Sequence, residues 1–375
     1  MYKRSTKDDC LVMPQVGFGT ATLKEGDECS KSVSAALNAG VRLIDTALLY
    51  GNQISIGKVL SQTTIPRKDI WITSKVGFFP SDNDVNTDPW MKDNSNRKGD
   101  EAASIDLCLN QLGVEYIDLI LLHSPCTTRL EYDAARMPHY FELFTLAQSE
   151  EAVRPTHLAD GEAIRPMLLE AKRTKLKAAI DDSYIEQAKA TRIASWKALE
   201  AAQRSGKCRF IGVSNYPASL LEEMKDYATI MPFMNQLELH PLFSSPELQC
   251  VAKEMGCKLT GYGSGNSMLI NHEYKHQSSL VVNDIAKRIG KSPVQIVLRW
   301  TLQKGYNIIP RSTSEKHIIE NSPASLLSWE LSNEDMALLD GLNEDYPYYW
   351  DPLATELTTI NPNRVMEDLL NLKII

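Results

Sequence analysis

From one end of this chain to the other, short apolar runs of β type alternate with segments whose apolar residues recur at helical spacing. The β-type runs are Gln15 to Thr20, Arg42 to Thr46, Ile70 to Val76, Tyr116 to His123, Cys208 to Asn215, Met234 to Leu239, Lys258 to Tyr262 and Tyr306 to Arg311. Between them the spacing predicts helices over Ser30 to Ala39, Glu101 to Leu112, Ser195 to Arg204, Pro246 to Glu254, Leu280 to Ile289 and Pro293 to Leu302. Strands that alternate with amphipathic helices build βαβ units and a parallel sheet. Eight such strands predict a closed α/β barrel of (β/α)8 type, a TIM barrel.

Two regions break the rhythm. Between His123 and Ser195 no convincing strand occurs, and from Asp160 to Arg192 six acidic and seven basic residues among 33 point to exposed helices with a solvated face. We read residues 126–192 as a mostly helical insertion after the fourth strand of a single barrel spanning 1–375, with an interaction surface as the sharper alternative. The second region is the tail, 344–375, where Tyr346-Pro347-Tyr348-Tyr349-Trp350 clusters aromatic residues. Packing of a terminal segment and a pocket wall both fit that cluster.

Composition narrows the partners. With 40 Lys and Arg against 48 Asp and Glu, the net charge of −8 disfavours nucleic acid and anionic membranes. No apolar run reaches the roughly 18 residues of a spanning helix, and Met1 to Asp9 leads into no signal-peptide core, so a cytoplasmic protein is expected. The seven cysteines are scattered and form no C-x-x-C pair, which fits reduced thiols and gives no zinc site; no metal is expected.

In such a barrel the chemistry sits where strands end, because the following loops converge on one face. Three consecutive apolar strands close with Asp45, Lys75 and His123, and Tyr50 lies on the loop after Asp45. A phenol has an ordinary pKa of about 10, and an adjacent ammonium favours its ionised form. Lys75 is therefore expected to lower the Tyr50 pKa, Asp45 to hold Lys75, and His123 to hydrogen-bond a carbonyl oxygen against the Tyr50 hydroxyl. That set suits protonation of a developing alkoxide. Each residue alone has a duller reading as a cap, rim ion pair, core histidine or packing ring; together they favour chemistry.

Here the sequence resembles the aldo-keto reductase family. The run Asn38-Ala39-Gly40-Val41-Arg42-Leu43-Ile44-Asp45-Thr46-Ala47-Leu48-Leu49-Tyr50-Gly51-Asn52 is similar to its first signature. Ile117 to Pro125, Ile211 to Tyr216, and Ile308 to Thr313 with Glu320-Asn321 resemble the others, so that the resemblance runs from about Met13 to Asn343 outside the insertion. It implies that Asp45, Tyr50, Lys75 and His123 act together in reducing aldehyde or ketone carbonyls with NADPH, a small-molecule carbonyl compound being the substrate. It further implies that Ser214, Asn215 and Gln236 contact the nicotinamide amide and that Tyr262 stacks on its ring, barrel core being the plainer reading of Tyr262. Thr20 and Asp45 are among the implied cofactor contacts.

The resemblance also assigns the segment after the last strand to the adenosine phosphate. Arg311 stands there in place of the more usual Lys, with Ser312 and Thr313 as further donors, and Glu320 and Asn321 match the adenine contacts. His317 stands where an Arg is common. After Tyr262 the family has Ser-Pro-Leu-Gly, whereas this chain has Gly263-Ser264-Gly265-Asn266, so Ser264 lies in a pyrophosphate clasp expected to be looser. Gly17-Phe18-Gly19 opens like a dinucleotide fingerprint, but Thr22 takes the third glycine position. Two other functions stay open: an NADPH-binding redox sensor contacting a protein partner through the insertion, and a lyase or isomerase without cofactor.

Overall fold

The computed structural model of this chain describes residues 12–82, 96–135, 174, 177–264, 277–345 and 347–350. Eight parallel strands follow one another in chain order: β1 Phe18–Gly19, β2 Leu43–Asp45, β3 Trp71–Val76, β4 Ile117–Leu122, β5 Cys208–Ser214, β6 Met234–Glu238, β7 Lys258–Tyr262 and β8 Asn307–Ile308. The sheet closes on itself where Gly17 N donates to Ile308 O (2.8 Å), Ile308 N to Gln15 O (2.9 Å) and Gly19 N to Pro310 O (3.0 Å). Every predicted strand is present. The first and last shorten to two residues each, and the ladder cannot continue through Pro310, which has no N–H to donate. Gly17 allows the close approach at this seam, since a Cβ there would lie 2.1 Å from Leu43 Cδ2.

Strand pleating with period two sorts the side chains into two cores. Leu43, Trp71, Leu119, Leu121 and Met234 cluster inside the barrel with Phe210 and Phe233, whose rings lie 4.4 Å apart. Ile44, Ile72, Ile120, Leu122, Ile211 and Val213 belong to the larger cluster shared with the surrounding helices. Continuing the inward series upward brings Asp45 after Leu43, Lys75 after Trp71 and Thr73, and His123 after Leu121. At the opposite rim the charge in β4 is Asp118, which accepts hydrogen bonds from Arg67 (2.7 Å), Ile72 N (3.0 Å) and Arg209 (2.9 Å).

The helices follow from local signals. Glu101–Leu112 matches its predicted bounds, and Pro293–Gln303 begins with a capping box in which Ser292 and Gln295 bond each other's backbone N–H. The helix Gln53–Gln62, absent from the predicted set, contains Gly57, whose missing side chain lets it pack 2.6 Å (Cβ position) from Gln111 O. The helix expected from Ser195 starts instead at Asp182, with Asp181 capping Tyr184 N at 2.8 Å, and runs to Arg204. Its early turns bury Ile185 and Ala188, and Arg192 is held in a buried two-point ion pair with Glu223 (2.9 and 2.8 Å). Residues 182–192 therefore belong to the barrel's own crossover helix, which buries Ile185, Ala188 and Arg192 and leaves Asp182, Ser183, Glu186 and Gln187 exposed; of the expected insertion, 136–173 and 175–176 lie outside the described residues. Among the described residues no helix is long and apolar enough to cross a membrane, and Cys29, Cys108, Cys126, Cys208, Cys250 and Cys257 are free thiols.

Candidate active site

At the upper rim Lys75 is fully buried on β3, and its ammonium donates to Asp45 Oδ1 (2.6 Å), to Thr46 O (2.9 Å) and to the Tyr50 hydroxyl (3.3 Å). Tyr50 ends a short 3-10 turn, Leu48–Tyr50, which Gly51 closes in a left-handed conformation at φ 64°. The Tyr50 and His123 rings meet edge to face with centroids 5.7 Å apart. The four residues expected to act together are thus brought together.

Desolvation decides the charges. Burial pulls the Lys75 ammonium down, yet the Asp45 carboxylate and the Tyr50 oxygen hold it above its ordinary value, so Lys75 stays charged. His123 is pushed well below its ordinary value by burial and then by the charges of Lys75 and Lys98, which leaves a neutral imidazole. Tyr50 departs from expectation: desolvation of its hydroxyl raises its pKa by more than the Lys75 ammonium lowers it. The phenol keeps its proton, available to donate but harder to remove than the sequence suggests.

The profile of the Aldo/keto reductase family matches residues 15–344. The chain belongs to this family. It is 30% identical over 356 residues to the 9,11-endoperoxide prostaglandin H2 reductase of Trypanosoma cruzi (strain CL Brener), covering 94% of this chain and 95% of that protein. It is also 30% identical over 336 residues to the glyoxal reductase of Bacillus subtilis (strain 168), covering 89% and 90%. Among solved structures, the aldose reductase of Schistosoma japonicum superposes with a TM-score of 0.60, with 26% identity over 88% of this chain and 89% of that one. The protein is an oxidoreductase of the aldo-keto reductase type.

The reductase's other expected contacts are placed as follows. Thr20 is buried and donates to Asp45 O (3.0 Å). Ser214 donates to Gln236 O (2.8 Å), and Gln236 Nε2 donates to Asp45 Oδ2 (2.6 Å). Asn215, at φ 63°, donates to His123 O (2.9 Å) and accepts from the Tyr262 hydroxyl (2.7 Å). These side chains, expected to reach outward to an amide, are here engaged with one another, and Tyr262 is tied through Asn215 to the backbone of His123.

At the barrel seam Gly17, Phe18, Val41, Pro310, Arg311, Ser312, Ile318 and Asn321 line a small crevice. Arg311, Thr313 and His317 are exposed beside it, and among the described residues no carboxylate pairs with Arg311. Ser312 accepts from Ser314 N (3.0 Å), and Glu320 lies 3.7 Å from Lys316.

Ser264 is buried at the start of the glycine loop, and 265–276 lie outside the described residues. Gly263 has φ 83°, and a Cβ on it would meet the Tyr349 ring at 3.2 Å. Grafting the family's Ser at 263 would therefore strain the backbone. Gly263→Ala should destabilise the protein by about 1–2 kcal/mol, the usual penalty of a left-handed L-residue; a thermal melt matching the parent would contradict this.

Three features went unread. Glu238 continues the inward series of Met234 and Gln236, a periodicity that could have flagged it. Lys98 is buried and donates to Ser124 O (2.6 Å), with its pKa lowered to about 8 by burial. The run His272-Glu273-Tyr274-Lys275-His276 has the H-E-x-x-H spacing, which the metal-free expectation passed over; it lies outside the described residues, among which no metal-holding group of three or more His, Cys, Asp or Glu occurs.

Proposed function

We propose that this reductase converts aldehyde or ketone carbonyls to alcohols with NADPH, Tyr50 acting as general acid. The observation that carries the reading is the Lys75 ammonium, buried at 2.6 Å from Asp45 and 3.3 Å from the Tyr50 hydroxyl, with the His123 ring at its edge. The Bombyx mori aldo-keto reductase solved with NADP shares the fold at a TM-score of 0.62 and 22% identity over 91% of this chain and 92% of that one. An NADPH bound at the rim would supply the hydride. Arg311, Ser312, Thr313, His317, Glu320 and Asn321 would hold its adenosine phosphate end, and Thr20, Asp45, Ser214, Asn215, Gln236, Tyr262 and Ser264 the remainder.

The chain's own residues carry the proton and the charge. Neutral His123 offers an N–H to the carbonyl oxygen and orients it toward Tyr50. The Tyr50 hydroxyl donates its proton as negative charge grows on that oxygen, and Lys75 stabilises the phenolate left behind. Asp45 keeps the ammonium aligned. The free thiols fit a reducing compartment, and we place the protein in the cytoplasm.

The test is consumption of NADPH absorbance by the purified protein across a panel of aldehydes and ketones. Absence of turnover on every member would overturn the reading. Preference for NADPH is tested separately: a charge-assisted phosphate contact is worth about 1.5–3 kcal/mol, so Arg311→Ala should narrow the NADH-to-NADPH ratio of dissociation constants by roughly tenfold or more. An unchanged ratio would remove Arg311 from the phosphate site.

A further inference from the structure

We infer that Lys98 is a positioning residue for His123: its buried ammonium anchors the end of β4 that carries the imidazole and keeps that ring neutral. The inference rests on the carbonyl-reducing reading of the site and adds a residue that acts through His123 without touching substrate.

The end of β4 is tied at three successive points. His123 N donates to Val76 O of β3 (2.9 Å), His123 O accepts from Asn215 Nδ2 (2.9 Å), and Ser124 O accepts from Lys98 Nζ (2.6 Å). Lys98 reaches this place on a short segment that pairs with the chain just after β3, where Phe79 N donates to Asn96 O (3.1 Å) and Lys98 N to Phe79 O (2.8 Å). Phe78, in the same stretch, sets its ring 4.8 Å from the His123 ring. Lys98 is 3% exposed and His123 6%, so solvent screens little of the ammonium's action on the imidazole. Two buried ammonium groups therefore bear on one ring, Lys75 beside Tyr50 and Lys98 on the Ser124 carbonyl.

A hydrogen bond to one carbonyl does not call for a charge. Burial drags the Lys98 ammonium down to about 8, against the upward pull of Glu101, Cys126 and Glu131, while Arg192 adds to the fall. The surrounding charges are engaged elsewhere. Glu101, on the helix Glu101–Leu112, accepts from Ser195 Oγ and Gly99 N. Glu131, on the helix Arg129–Ala135, accepts through Oε2 from Thr127 N, Thr127 Oγ1 and Thr128 N. Arg192 is held by Glu223. Because Lys98 binds its proton less tightly in the folded chain than in the unfolded one, its charge costs stability below pH about 8. A Gln would bond Ser124 O without that cost.

What the charge supplies is opposition to a second proton on His123. Burial resists that proton first, then Lys75, then Lys98. Lys98 stays charged through the whole acidic range in which an imidazole would take up a proton, so its opposition is present where it counts. His123 Nδ1 is also enclosed without a partner, and a proton placed there would meet no acceptor. A neutral ring orients the carbonyl oxygen and leaves the proton transfer to Tyr50.

The test uses Lys98→Met and Lys98→Gln in the full-length protein, because Gln can still donate to Ser124 O and Met cannot. Protonation of His123 is followed by NMR titration of its imidazole without cofactor, the signal being identified by its loss in His123→Asn. In both variants His123 should take up its proton at higher pH than in the parent, since one of two opposing charges is gone. With NADPH and an aldehyde, the acidic limb of kcat/KM should move the same way. Activity needs the neutral ring and is lost as pH falls through the His123 pKa, so raising that pKa brings the loss at higher pH. Lys98→Met should melt no lower than the parent at pH 7, because it removes a buried charge.

An unchanged His123 titration in both variants overturns the inference. So does a change in Lys98→Met alone, which would make the hydrogen bond and not the charge responsible. Failure of both variants to fold would assign Lys98 to structure and overturn it as well. A shifted His123 titration without turnover of any aldehyde would refute carbonyl reduction and leave the action of Lys98 standing. Turnover with an unmoved titration would do the reverse.

Discussion

Tyr50→Phe should lower the rate of carbonyl reduction by about a hundredfold to ten-thousandfold, the usual worth of a positioned general acid. The substitution deletes one hydroxyl and leaves the ring in edge-to-face contact with His123, so little else in the site has reason to move. NADPH affinity should stay close to that of the parent, read by fluorescence titration beside single-turnover kinetics. A variant with parental turnover would show that another group delivers the proton. In the parent, reduction should persist to alkaline pH, because desolvation holds the Tyr50 pKa above its ordinary value and activity is lost only as pH rises through that raised pKa.

Lys75→Met should damage the protein twice over. Removing one partner of a buried ion pair leaves the other charge uncompensated and costs about 3–5 kcal/mol. Asp45 would keep Gln236 as a donor but lose the ammonium at 2.6 Å, so urea unfolding should show the loss directly. Turnover should fall as well. Lys75 is the group that pulls the Tyr50 pKa down, and without it the alkaline limit moves higher while the phenol becomes a poorer acid. The double change Asp45→Asn with Lys75→Met should recover much of the stability and none of the activity. Equal instability of the single and double variants would mean that the pair's charges are not what the site depends on.

Asp45, Lys75 and His123 were legible because each polar residue closes an otherwise apolar strand, and period two tells which way a strand-end side chain points. Glu238 stands on the same inward face as Gln236, yet its purpose depends on a segment more than a hundred positions later that no local pattern connects to it. The Tyr50 pKa illustrates a second limit. A neighbouring ammonium can be read from a motif, but the desolvation opposing it depends on how closely the finished walls surround one oxygen. The helix beginning at Asp182 was hidden differently: its charges suggested solvent, while the burial of Arg192 depends on Glu223, 31 positions away.

The seam of the barrel has a consequence for how the chain reaches its final shape. Strands β3, β4 and β5 are the long ones, of six, six and seven residues, each paired to the next across one crossover, whereas β1 and β8 join partners nearly three hundred positions apart through two residues apiece. Contacts of such separation carry the largest loop-closure cost in the ring, and only a few hydrogen bonds between short strands offset it at the seam. The crevice beside Arg311 draws its lining from both sides of that junction. A molecule seated there would span the join, and its binding free energy would add to the closure of the whole ring.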